Sequence, residues 1–173
     1  MAKSRWEKYV VRRPLRYLWN ADHTQTAGEE VPKTTPIHDN WGPVDTGVQI
    51  PISPLLIPDV YSIVEYGFIY GDCVNATKPH KHMDYDEMFI FAGTNHEDVS
   101  DLGGEVEFWI GEDETAEGIV FKESGAIYVP RGTGHFPQIF RHVKRPILEI
   151  VVMPTTKKRS LTPVSNKNRP VFK

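Results

Sequence analysis

From about residue 60 onwards, apolar and polar residues alternate in short segments, a pattern typical of β-strands. The segment at residues 106–110 places Val106, Phe108 and Ile110 on one parity. Glu107 and Trp109 take the other parity. Comparable β-rich segments cover residues 60–70, 77–83, 87–91, 119–122, 126–129, 135–141 and 147–153.

Turn-forming residues separate these segments, and no stretch shows a convincing amphipathic helical period. Gly125, Pro130 and Pro146 punctuate the chain, and residues 95–104 predict a polar loop. Residues 48–53 are a further strand candidate, which its proline content confines to a sheet edge. About eight short strands at close, regular spacing predict an all-β fold, an antiparallel sandwich or barrel.

The N-terminal region lacks this alternation. Residues 1–20 are rich in large apolar side chains, but Pro14 interrupts any helical or strand period. We therefore expect an arm that packs on the barrel or on a neighbouring subunit, and a homodimer formed through arm or sheet-edge contacts. The predicted organisation is an N-terminal arm and loop over residues 1–46, a β-barrel over residues 47–154 and a basic C-terminal tail over residues 155–173.

The composition narrows the class of protein. Of the 173 residues, 39% are hydrophobic and 25% are charged, which favours a globular protein over a disordered one. No apolar run is long enough to span a bilayer, and no apolar stretch follows the basic residues at the N-terminus as in a signal peptide. Cys73 is the only cysteine, so an intrachain disulfide is excluded. We expect a cytoplasmic protein without a membrane partner, in which Cys73 is a small, partly buried residue rather than a nucleophile.

The charge distribution argues against nucleic acid as a partner. Residues 1–20 carry six basic residues and one acidic residue, and residues 155–173 carry six basic residues and none that is acidic. The segment between them is strongly acidic and would repel phosphates. The basic ends are therefore expected to lie along the acidic surface of their own chain or of a neighbouring subunit.

His80 and His82 are the first candidates for functional residues. They stand two residues apart, a spacing that points both imidazoles to the same face of a strand. Two neutral imidazoles on one face are poor core residues and good metal ligands. Glu87 adds a carboxylate just downstream, on the same strand parity as Phe89 and Phe91.

Two motifs in this region resemble those of the cupin superfamily. Gly71, His80-Lys-His82, Glu87 and Gly93 resemble the first cupin motif, in the order glycine, His-x-His, glutamate, glycine. Gly125 and the segment Pro130-Arg-Gly132-Thr-Gly-His135 resemble the second. The resemblance covers roughly residues 60–153 and implies a small antiparallel double-stranded β-helix, or jelly roll, extended by the N-terminal arm and the C-terminal tail. It also implies that the metal ligands are His80, His82, Glu87 and His135.

Three imidazoles and one carboxylate suit one divalent transition metal per chain, namely Fe, Mn, Ni, Co or Zn. A closed structural zinc site would more often contain cysteine, and Cys73 has no second cysteine beside it. Four protein ligands leave two positions open on an octahedral ion. Those positions could take water, a bidentate substrate or O2.

Three functions are consistent with such a site. The first is a metal-dependent dioxygenase or oxidoreductase acting on a small organic substrate, with substrate and O2 at the open positions. The second is a redox-neutral isomerase or decarboxylase in which the metal acts as a Lewis acid. The third is a cupin that binds a small molecule without turnover. We favour an enzyme, and residues that flank the motifs are candidates to line its pocket: Tyr70, Tyr128, Arg131, Phe136 and Gln138.

Overall fold

The computed structural model describes residues 6–11, 15–16, 49–54, 56–57, 59–75, 77–156 and 161–171. Its strands are β1 (Leu15–Arg16), β2 (Gln49–Ile52), β3 (Ile63–Ile69), β4 (Cys73–Asn75), β5 (His80–Lys81), β6 (Glu87–Gly93), β7 (Asp101–Ile110), β8 (Glu117–Glu123), β9 (Gly125–Val129), β10 (His135–Arg141), β11 (Ile147–Met153) and β12 (Thr162–Pro163). Two short 3-10 turns, Glu7–Tyr9 and Asp113–Thr115, are the helical elements of these residues. No helix in the described part of the chain is long and apolar enough to cross a membrane.

The strands form two antiparallel sheets. The first has the order β1-β2-β3-β11-β6-β9, and the second has the order β12-β5-β10-β7-β8 with β4 also paired to β10. This arrangement confirms the predicted all-β fold. Most of the predicted arm and loop, residues 1–46, lies outside the described residues, although β1 pairs with β2 within the chain.

Alternation along the strands decides which side chains enter the space between the sheets. In β3 and β11 every second residue is buried, because one face of each strand points to the interior. Phe89 on β6 and Phe108 on β7 meet there, with ring centroids 4.9 Å apart. These aromatic contacts join the two sheets into one hydrophobic core.

The sequence prediction was wrong at the end of the loop predicted for residues 95–104. Strand β7 begins at Asp101, five residues before the alternating segment starts at Val106. Leu102 is fully buried in the core, and Asp101 is paired with Glu123 on β8. The sequence of residues 95–104 is mostly polar or glycine and therefore predicts a loop. Its last four residues form a strand because β7 pairs with β8.

The segment after β11 also returns to the barrel. β12 pairs with β5, with Thr162 opposite Lys81 and Pro163 opposite His80. Part of the predicted C-terminal tail therefore lies at the edge of the sheet that carries His80.

Candidate metal centre

Four buried side chains from both sheets converge at one end of the barrel interior. His80 stands on β5 and His135 on β10, whereas Glu87 begins β6 in the opposite sheet. His82 follows β5 directly. Each of the four is at most 2% exposed, and one ligand atom from each lies within 4.8 Å of all the others.

Glu87 is the centre of this cluster. Its Oε2 lies 3.0 Å from His82 Nε2 and 2.8 Å from His135 Nε2. A metal ion with bonds of about 2.0–2.2 Å separates its ligand atoms by about 3 Å when they are adjacent and about 4 Å when they are opposite. The two Glu87 distances are those expected of adjacent ligands of one such ion, and all four ligand atoms lie within 4.8 Å of one another.

Backbone carbonyls fix the tautomers of two of the histidines. His80 Nδ1 lies 2.8 Å from Lys78 O, and His135 Nδ1 lies 3.2 Å from Thr133 O. A carbonyl oxygen only accepts hydrogen bonds, so Nδ1 carries the proton in both rings. Nε2 is then the ring nitrogen through which each histidine would bind a metal, while Nδ1–H holds the ring to the backbone.

Aromatic rings enclose the histidines. Phe136 stacks on His80 with centroids 5.2 Å apart, and Tyr85 stacks on His82 at 4.5 Å. Phe108 lies parallel to His135 at 6.5 Å. These contacts restrict rotation of the imidazoles and give the site an apolar wall, which strengthens the electrostatic interactions inside it.

Hydrogen bonds join the loops that carry the two sequence motifs. The Gly132 N–H donates to His82 O at 2.7 Å, and Gly132 has φ of +80°, a conformation that favours glycine. The Arg131 N–H donates to Asp86 Oδ1 at 2.9 Å. This bond, the Tyr128 hydroxyl and the Arg131 guanidinium together lower the pKa of Asp86. The residue before Glu87 is therefore tied to the turn that leads to His135.

The five candidate pocket residues fall into two groups. Phe136 and Gln138 are buried in the interior, 3% and 0% exposed. Tyr70 and Tyr128 are 41% and 57% exposed, because their neighbours Ile69 and Val129 take the inward parity. Arg131 is also exposed, in the turn before β10, where its Nε lies 3.3 Å from Asp86. These three side chains lie on the surface of the barrel rather than in its interior.

Two buried carboxylates were not predicted from the sequence. Glu65 on β3 is 3% exposed and Glu149 on β11 is fully buried. Gln138 Nε2 donates to Glu149 Oε1 at 2.7 Å, and Asn75 Nδ2 donates to Gln138 Oε1 at 3.1 Å. Thr77 Oγ1 extends the network by donating to Asn75 Oδ1 at 2.7 Å.

The signal for both carboxylates is present in the sequence. Glu65 shares the strand parity of Ile63 and Ile69, and Glu149 that of Ile147 and Val151. A lone acidic residue on an apolar parity predicts a carboxylate that points inward. Glu149 is hydrogen-bonded to Gln138 of the other sheet, and Glu65 lies on β3, the strand that pairs with β11.

The chain is similar to solved structures of low sequence identity. An oxalate oxidase matches with a TM-score of 0.50 and 15% identity, covering 82% of this chain and 65% of that chain. The polyketide cyclase RemF from Streptomyces resistomycificus matches with a TM-score of 0.46 and 14% identity, covering 72% of this chain and 75% of that chain. A chain from the crystal structures of the DMSP lyases RdDddP and RnDddQII matches with a TM-score of 0.44 and 14% identity, covering 70% of this chain and 53% of that chain.

This chain spans 65% of the length of the oxalate oxidase. No family model matches the sequence, and no curated protein matches it. The match to the oxalate oxidase shows a shared fold alone, so the activity of this chain has to be argued from its own site.

Proposed function

We propose that this chain, which has the cupin fold, is a metal-dependent enzyme acting on a small organic substrate as a dioxygenase. The observation that carries the proposal is the buried cluster of three imidazoles and one carboxylate, whose ligand atoms lie within 4.8 Å of one another. A divalent metal held by these four groups would supply open coordination positions for substrate and O2.

The residues around the cluster support this assignment. The tautomers of His80 and His135 are set by Lys78 O and Thr133 O, so their ring orientation does not depend on the metal. Phe136 and Tyr85 stack on two of the ligands and exclude water from them. A dry, rigid ligand set suits chemistry in which a reactive species must be shielded from solvent.

The test begins with metal analysis of protein purified without added metal. The iron-loaded protein is then assayed for oxygen consumption with a panel of enols, thiols and catechol-like compounds, with the His135→Ala variant as the control. Oxygen consumption that requires His135 supports a dioxygenase. An iron-loaded protein that consumes no oxygen with any compound of the panel would rule this function out.

A redox-neutral isomerase or decarboxylase is the second candidate, and the buried acids favour it. Lewis-acid chemistry on a carbonyl or hydroxy acid needs a side chain that moves a proton. Glu65 and Glu149 place two carboxylates on the inner faces of β3 and β11, with Gln138 bonded to one of them. These are acid-base groups beyond the metal ligands themselves.

Dependence on oxygen separates the two candidates. A dioxygenase stops turning over when oxygen is removed, whereas a redox-neutral enzyme is indifferent to oxygen and is active with Zn or Mn. Tight retention of a small molecule without turnover under either condition would instead identify a binding protein.

A further inference from the structure

The C-terminal residues 161–171 lie against both of the strands that carry metal-site histidines. On one side, β12 pairs with β5 so that Pro163 stands opposite His80. The Val164 N–H donates to Pro79 O at 3.0 Å, which extends the pairing to the residue before His80. We call residues 161–171 the C-terminal clamp.

Arg169 links the clamp to the other histidine strand. It is only 6% exposed, and its guanidinium donates to three backbone carbonyls. Its Nε donates to Phe136 O at 2.9 Å, on the residue that follows His135. Its Nη1 donates to Ser165 O at 3.0 Å, and its Nη2 donates to Gly111 O. One side chain thus fixes three separate segments of backbone.

Arg169 is buried, so its hydrogen bonds are needed to stabilise the guanidinium in the folded protein. Burial lowers the pKa of the guanidinium, and the nearby carboxylates of Glu112 and Asp113 oppose this shift. A buried guanidinium is destabilising unless its donors are satisfied, because it has lost its water. The fork of an arginine can hold several acceptors in a fixed geometry, which a lysine cannot do.

The clamp also packs tightly on the turn that leads into His135. A Cβ added at Gly134 would lie 3.2 Å from Val164 Cγ2 and 2.6 Å from Glu112 Cγ. Gly134 O accepts a hydrogen bond of 2.8 Å from the Gly111 N–H, and Gly111 is itself an acceptor for Arg169. The residue before His135 is therefore enclosed between the clamp and the end of β7.

We propose that the C-terminal clamp is a positioning element of the metal centre, with Arg169 holding the backbone on which His135 is carried and β12 holding the backbone of His80. In this role the clamp fixes the separation of the His80 and His135 imidazoles, whose ring centroids lie 4.5 Å apart. The clamp contributes no ligand of its own and acts through the two strands. This proposal rests on the metal centre of the proposed function.

The test compares Arg169→Met, which removes the guanidinium but keeps the length of the side chain, with Lys167→Ala. Lys167 lies in the same clamp and forms an exposed ion pair with Glu114, so its loss has little effect on folding. Zn²⁺ and Co²⁺ affinities are measured by titration of full-length proteins whose folded state is confirmed by circular dichroism. The absorption spectrum of bound Co²⁺ then reports the ligand geometry.

We expect Arg169→Met to weaken Co²⁺ binding by roughly 10- to 100-fold, the range found when groups that orient metal ligands are removed. Its Co²⁺ spectrum should differ from that of the wild type, whereas Lys167→Ala should match the wild type in both measurements. Arg169→Lys keeps the charge but not the fork, and should remain closer to Arg169→Met than to the wild type.

Hydrogen exchange of the wild type provides a test that does not depend on any variant folding. Coupling between two sites is reciprocal, so a clamp that strengthens metal binding must be strengthened by the metal. The amides of Val164 and Arg169 should therefore exchange more slowly once Zn²⁺ is added. Unchanged exchange at both amides would contradict the proposal, even if Arg169→Met failed to fold.

The outcomes also separate this proposal from the proposed function. A folded Arg169→Met protein with wild-type Co²⁺ affinity and spectrum would overturn the positioning role and leave the metal centre intact. A wild-type protein that binds neither Zn²⁺ nor Co²⁺ would overturn both.

Discussion

His135 Nε2 lies 2.8 Å from Glu87 Oε2, although the two residues stand on different sheets of the barrel. Both side chains are almost completely buried. Their contact exists only when β10 and β6 face each other across the closed interior. Formation of the metal centre is therefore coupled to packing of the two sheets, and binding of a metal should stabilise that packing.

Removal of a ligand should abolish metal binding. In the His80→Ala and His135→Ala variants the cluster loses one of four donors, and we expect metal affinity to fall by more than the roughly 100-fold typical of changes outside the ligand set. Metal content after purification and direct titration measure this effect.

His96→Ala is the matched control for the ligand variants, because His96 is exposed on a surface loop. It should retain the metal content of the wild type. Wild-type metal content in both ligand variants would contradict the assignment of the site.

Metal should raise the thermal stability of the wild type. A ligand present at 100 times its Kd stabilises the native state by about 2.7 kcal/mol if it binds only that state. For a domain of this size we expect Tm to rise by about 5–10 °C. The measurement is a thermal scan with and without Zn²⁺, in the presence and absence of a chelator.

The same scan of His135→Ala distinguishes site binding from general effects of the ion. Its Tm should respond to Zn²⁺ much less than that of the wild type. Equal increases in the two proteins would show that the stabilisation arises elsewhere.

Gln138→Leu should destabilise the fold through Glu149. The substitution removes the amide that donates to Glu149 Oε1 at 2.7 Å, and a buried acceptor that loses its donor costs about 1–3 kcal/mol. Urea denaturation of Gln138→Leu, Glu149→Leu and the double variant measures the coupling between the two side chains.

We expect the double variant to be less destabilised than the sum of the single variants, with a coupling of about 0.5–3 kcal/mol. Glu97→Gln, on an exposed loop, is the control and should change the free energy of unfolding by less than about 0.5 kcal/mol. Strict additivity of the two interior variants would mean that the hydrogen bond contributes nothing to stability.

Cys73 should be unreactive in the folded protein. Burial, followed by the negative charges of Glu149 and Asp72, raises the pKa of its thiol to about 12. Since the thiolate is the nucleophile, alkylation by iodoacetamide at pH 8 should be much slower in the native than in the urea-unfolded protein. Similar labelling rates in the two states would contradict this environment for the thiol.

The raised pKa of Cys73 also has a consequence for stability. The unfolded chain loses the thiol proton near its ordinary pKa of 9.0, whereas the folded chain retains it until about pH 12. Deprotonation therefore favours the unfolded state, and stability should decrease as pH rises between these values. The Cys73→Ala variant should lose this part of the pH dependence, which urea denaturation at pH 8 and pH 10 can measure.

Much of the metal site could be predicted because the residue patterns that indicate it lie within single strands. The spacing of His80 and His82 places both rings on one side of a strand, and the parity of Glu87, Phe89 and Phe91 places them on one buried face. Glu65 and Glu149 carry the same kind of signal, and their parity with apolar neighbours marks them as inward-pointing. Strand parity depends only on the backbone of the strand itself.

Other features depend on contacts between residues far apart in the chain. Strand β7 extends back to Asp101 because β8 pairs with it there, and the Asp-Leu-Gly-Gly sequence of residues 101–104 gives no such indication. Tyr128 and Arg131 stand next to the second motif in sequence but point outward, where Asp86 binds both.

The sequence by itself determined that the fold is all-β and which residues of a strand face inward, because both follow from the alternation of apolar and polar residues. It also determined which side chains can bind a metal, because that follows from their chemistry. Only the tertiary structure decided that Glu87 meets His135 across the interior, that Gln138 meets Glu149, and that Arg169 binds the backbone beside His135. Each of these contacts joins residues far apart in the chain, so it forms only once the sheets have paired and packed, and the pattern of a single strand does not reveal it.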